Sequence, residues 1–105
     1  MPHRKHLPHV TPSWVDAGSI FFITICCQPR HENQLCAVEK REAVFEAVEF
    51  RQSRRDWFMH LLILMPDHMH GLVSFPQDRA MKKVISNFKE IVAKKTGVRW
   101  QRDFF

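Results

Sequence analysis

Two histidines one residue apart, His68 and His70, sit in the run Leu64-Met65-Pro66-Asp67-His68-Met69-His70-Gly71-Leu72-Val73. Alternate side chains of a β-strand leave the same face about 6–7 Å apart at Cα, near enough for two imidazoles to converge on one cation. The helical zinc pattern His-Glu-x-x-His is absent. A triad of alternating histidines is absent too, because the third position is Leu72. His60, on the preceding apolar run, reads as a packed strand histidine rather than a third ligand. The chain contains no tyrosine, which limits what a metal held by the pair could do.

The elements around the pair follow from residue pattern. Trp57 to Met65 is a nearly continuous apolar run of strand length, and Pro66-Asp67 supplies a tight turn. Residues 68–75 are then its antiparallel partner, with His68, His70, Leu72 and Ser74 on one face and Met69, Gly71, Val73 and Phe75 on the other. Ser19 to Cys27, rich in β-branched and aromatic residues between Gly18 and Pro29, is a buried first strand. From Val38 to Arg54 the apolar Val44, Phe45 and Val48 recur at helical spacing among Glu and Lys/Arg. A second helix is expected with Asp78 as its N-cap, Met81, Val84, Ile85, Phe88, Ile91 and Val92 as its apolar stripe, and Gly97 at its end. Val98 to Phe105 leaves room for one more short strand anchored by Trp100, Phe104 and Phe105. The resulting order is the ferredoxin-like βαββαβ plan, an α+β fold with an antiparallel sheet and two helices on one face. That leaves the histidine pair on the open face, where a long substrate could lie.

At 105 residues the chain is the size of one domain with one core. The formal charge of +5 makes a polyanion a plausible partner. The basic residues concentrate from Arg79 onward, where eight Lys or Arg face Glu90 and Asp103 for a net of +6. Lys82, Ser86 and Lys89 line one flank of the second helix. Residues 1–18, with Pro2, Pro8, Pro12, Arg4 and Lys5, read as an extended basic arm, and residues 19–105 as the domain. No run is long and apolar enough for a membrane span, and the basic start leads into prolines, so a cytoplasmic protein is expected. Cys26, Cys27 and Cys36 form neither a disulfide framework nor a zinc ribbon and are expected as reduced thiols.

The segment Trp57 to Val73 resembles the signature of the single-tyrosine HUH transposases, usually Met-Pro-Asn-His-x-His followed by apolar residues, with Met69 as the hydrophobic middle position and Asp67 in place of the usual Asn. The likeness extends to Arg4-Lys5, Pro12-Ser13-Trp14-Val15, Ile23-Thr24-Ile25-Cys26-Cys27, Phe88-Lys89 and Trp100-Gln101-Arg102-Asp103-Phe104-Phe105. These segments point to the REP-associated tyrosine transposase branch. The resemblance implies that His68 and His70 hold Mg²⁺ or Mn²⁺, which polarises the scissile phosphate of single-stranded DNA. It also implies attack by a tyrosine on the phosphorus, giving a 5′-phosphotyrosine link and a free 3′-OH. In the family that tyrosine lies on a helix after the Trp-Gln-Arg segment, and this chain is expected to stop before it, with Phe104 and Phe105 as packing anchors rather than replaced nucleophiles.

The resulting expectation is an HUH domain that binds hairpin-forming single-stranded DNA with a divalent metal at His68 and His70. Arg4, Lys5, Lys82 and Lys89 are its candidate nucleic-acid contacts, and no residue is assigned as the catalytic nucleophile. Two alternatives stay open: a module that binds the hairpin without chemistry, and a metal-dependent hydrolase of phosphodiesters that uses water.

Overall fold

The computed structural model describes residues 3–6, 20–76 and 79–104. Seven elements follow in chain order: β1 (His3–His6), β2 (Phe21–Cys27), α1 (Val38–Ser53), β3 (Phe58–Met65), β4 (His68–Ser74), α2 (Met81–Thr96) and β5 (Trp100–Phe104). From β2 onward this is the expected βαββαβ order, and the strand order β3-β4-β2-β5 places β4 and β2 at the centre. β1 adds a fifth strand that the sequence did not announce. It pairs antiparallel with β3 in the register Arg4 to Ile63 and Lys5 to Leu62, so these four residues are held by main-chain pairing rather than by a hydrophobic pattern.

Side-chain alternation sorts the sheet into two faces. Ile23, Ile25 and Cys27 of β2, Leu62 and Leu64 of β3, and Met69 and Val73 of β4 are buried together with Val44, Ala47 and Val48 of α1 and Val84, Ile85, Phe88 and Val92 of α2. Each such large apolar side chain contributes roughly 1.5–3 kcal/mol when fully removed from water. Gly71 continues this face, and a Cβ there would stand 2.9 Å from Met59 Sδ. The glycine therefore lets β4 lie directly against the Met59 side chain.

The register of β3 against β4 shifts between Met59 and Leu61, where His60 is the extra residue. The bulge lets Met59, Leu62 and Leu64 all reach the core despite their unequal spacing. It also brings His60 Nε2 to 2.8 Å from Ser74 Oγ. Ser74, expected on the open face, is instead 1% exposed.

α2 ends as read, with Gly97 in the left-handed conformation at φ 74° and its N–H donating to Ala93 O. Its start differs: the N-cap is Ala80, with no side-chain cap hydrogen bond. Asp78, expected there, lies outside the described residues. Trp57 and Trp100 are tied to helix carbonyls, Trp57 Nε1 donating to Val48 O and Trp100 Nε1 to Lys89 O. Cys26, Cys27 and Cys36 are free thiols. Burial, followed by the neighbouring Asp67 charge, pushes the Cys27 thiol up to about 12.

Candidate metal and nucleic-acid site

Both histidines stand on β4, between β3 and β2. His68 faces Met65 and Cys26 across the sheet, and His70 faces Ile63 and Thr24. Their rings lie 4.7 Å apart at 76°, an edge-on pair, so the strand periodicity does bring the two imidazoles together.

Each ring is held through Nδ1. His68 Nδ1 lies 2.7 Å from Asp67 Oδ1, and His70 Nδ1 lies 3.0 Å from Thr24 Oγ1. With Nδ1–H donating to an oxygen, Nε2 of each ring carries the lone pair that a metal requires, and neither Nε2 is hydrogen-bonded among the described residues. Burial, and then the charge on His68, lower the pKa of His70, which favours the neutral ligand form. The residues therefore fit a divalent ion as a two-imidazole half-site. Among the described residues no group of three His, Cys, Asp or Glu comes together. Remaining positions would fall to oxygen donors from outside that set.

Asp67 organises the turn beneath the pair. Its Oδ2 accepts from Arg30 Nε and from the His31 N–H, both at 2.8 Å, while Oδ1 holds His68. The Arg30 guanidinium, then the His31 amide and His68, keep the carboxyl well below the usual carboxylate range. An Asn at this position offers one acceptor oxygen, whereas Asp67 offers two and serves three donors. The turn is also clamped by main chain, with Pro66 O accepting from Gln34 and Leu35 N–H and Asp67 O from Cys27 N–H. Phe22, 62% exposed, stacks on His70 with ring centres 5.4 Å apart at 21°.

The model of the IS200-like transposases matches residues 19–104. The chain belongs to that family. No curated protein matches it at a significant level. Among solved structures, a REP-associated tyrosine transposase bound to a REP hairpin superposes with a TM-score of 0.73 at 18% identity, covering 93% of this chain and 60% of the other. A protein from Deinococcus radiodurans R1 assigned as a transposase superposes at 0.62 with 12% identity, covering 83% of this chain and 77% of the other. At these identities the likeness is one of fold. This IS200-like chain spans 60% of the REP-associated transposase's length.

The remaining candidate residues of the IS200-like domain are dispersed. Arg4 and Lys5 lie in β1 at the sheet edge next to β3. Lys82 is exposed in the first turn of α2. Lys89 has a structural engagement, its Nζ donating to Gln101 O at 2.6 Å and to Arg102 O at 3.1 Å, which ties α2 to β5. His60 sits at the far end of the hairpin, bonded to Ser74. Sequence reading missed Thr24 and Arg30 as partners of the site. Only strand register aligns Thr24 with His70, and only the fold of residues 28–35 returns Arg30 to Asp67. For Asp67 the sequence signal is its adjacency to His68, beyond its place in the Pro66-Asp67 turn.

Proposed function

We propose that this chain is the DNA-binding, metal-holding domain of a REP-associated type of IS200-like transposase, recognising hairpin-forming single-stranded DNA on its open sheet face. The observation carrying this reading is the paired rings, 4.7 Å apart, with Asp67 Oδ1 against Nδ1 of His68 and Thr24 Oγ1 against Nδ1 of His70; with each Nδ1–H donating, two Nε2 atoms would be left for one ion. A bound Mg²⁺ or Mn²⁺ would polarise a scissile phosphate and stabilise charge developing on it. The protein's own part is to hold both imidazoles in place through Asp67 and Thr24, and to present a sheet face along which a strand can lie.

Residues 1–18 act in this reading as a basic arm, Arg4 and Lys5 contacting the hairpin, with Lys82 adding charge from α2. Lys89 contributes chiefly by fixing β5. The hairpin bound by the REP-associated neighbour supports the choice of DNA form. The sequence has no tyrosine, so these 105 residues bind and position a phosphodiester without forming a phosphotyrosine. No described helix is long and apolar enough to cross a membrane, and action on DNA in the cytoplasm fits the proposal.

The test is binding of a labelled REP-type hairpin with Mn²⁺, with chelator, and with His68→Ala/His70→Ala. Metal-dependent binding that the double variant loses is expected. Equal affinity in all three conditions would favour a hairpin-binding module without chemistry. A covalent protein–DNA adduct, or turnover of a model phosphodiester by water, would overturn the non-cleaving reading.

A further inference from the structure

On the other face of the sheet, the end of α1 and the start of α2 enclose a shallow groove of about 470 Å³ lined by Arg51, Arg54, Asp56, Arg79, Lys83 and Asn87, among others. Four cations meet one carboxylate among the described lining residues. Both Asp56 oxygens are engaged, with Oδ2 3.1 Å from Arg51 Nη1 and Oδ1 3.1 Å from Arg79 Nε. Arg54 and Lys83 are exposed in addition. Arg51 Nε is buried with no hydrogen-bond partner among the described residues, a donor left to be satisfied.

Helix dipoles account for half of this charge and oppose the other half. Arg51 and Arg54 lie at the C-terminal end of α1, where cations are favoured. Arg79 and Lys83 lie at the start of α2, where the dipole is positive, no acidic residue occupies the first turn and the N-cap residue Ala80 makes no side-chain cap hydrogen bond. Cations gathered at a positive helix end are offset by an anion bound between them.

We propose that this groove is a second phosphodiester-binding site, which takes the DNA backbone away from the segment at His68 and His70. It rests on the DNA-binding reading above and extends it. The groove flanks the Phe58–Ser74 end of the hairpin, whereas His68 pairs with Met65 at the other end. Ser74 lies six strand steps from His68, roughly 20 Å along β4, or about six steps of stacked duplex at 3.4 Å each. The two sites together would engage a stem and its flanking strand rather than one nucleotide.

The experiment is hairpin affinity as a function of salt for the wild-type chain, for Arg54→Gln/Lys83→Gln, and for Lys94→Gln/Lys95→Gln as a control that removes the same formal charge at the far end of α2. Thermal unfolding checks that all three are folded. The groove variant should lower the log–log salt slope by about 1.4–1.8, with a matching loss of affinity, and the control should fall short of that change. A groove variant with wild-type slope and affinity, or a control with an equal drop, overturns the second site while the His-pair reading stands. Absence of hairpin binding by the wild type would overturn both.

Discussion

Asp67 and His68 are adjacent in sequence and bonded to each other, Oδ1 to Nδ1 at 2.7 Å, while the same carboxylate anchors the Arg30 loop through its second oxygen. The turn, the loop and the imidazole are therefore set by one side chain.

Asp67→Ala should lower Mn²⁺ affinity by about 10- to 100-fold, the usual effect of removing a ligand's outer partner. Asp67→Asn should lie between this variant and wild type, because one amide oxygen can serve His68 or Arg30 but not both. Metal titration by calorimetry checks the order; equal affinity in all three proteins would dismiss Asp67 as the orienting group.

Thr24→Val keeps the β-branched shape of β2 and removes the hydroxyl next to His70 Nδ1. Stability should fall by about 1 kcal/mol, with a separate loss of metal affinity. Chemical denaturation and metal titration on the same sample separate the two effects.

Gly71→Ala should destabilise the fold by about 1–3 kcal/mol, because the added Cβ meets the buried Met59 sulfur at 2.9 Å. Met59→Ala in the same chain should cost less than the two single costs added together. Denaturant midpoints of the four proteins in that cycle test the coupling, and strict additivity would argue against the contact.

His60 is held neutral by burial, which lowers its pKa. A histidine whose folded pKa is depressed binds its proton more readily when unfolded. Its contribution to stability is thus present above the unfolded value, about 6.5, and is lost as pH falls toward the folded one. His60→Gln should flatten the decline in unfolding free energy through this window. NMR titration of the His60 ring should give a midpoint below 6.5, and a midpoint above it would reverse the argument.

Lys89→Met should cost about 1–3 kcal/mol by removing charge-assisted bonds to the β5 carbonyls. If Lys89 mainly tied down β5, its loss would appear in hydrogen exchange of Gln101 and Arg102 more than in the salt slope of DNA binding.

Most of the architecture was written in local patterns. The Ile/Phe/Thr run of β2, the Pro-Asp turn, the α2 stripe and Gly97 each dictate their own segment, and the βαββαβ order follows. What escaped was set by partners distant in sequence. β1 has no alternating pattern and exists through pairing with β3, while the β3 bulge at His60 changes which residues face inward without altering composition. The histidine pair was visible because two-residue periodicity is local. Thr24, Arg30 and the charged groove are contributed by segments that only the folded chain brings near their partners, and the cap at Ala80 has no side-chain signature to read.

The central placement of β4 has a kinetic meaning. A strand bonded on both sides is released only when its neighbours separate, so His68 and His70 sit on the part of the chain expected to open last. His70 lies inside the β4 ladders, paired with Ile63 on one side and Thr24 on the other, while His68 closes both ladders next to the turn. The histidine pair is thus carried by the middle of the sheet and not by a loop.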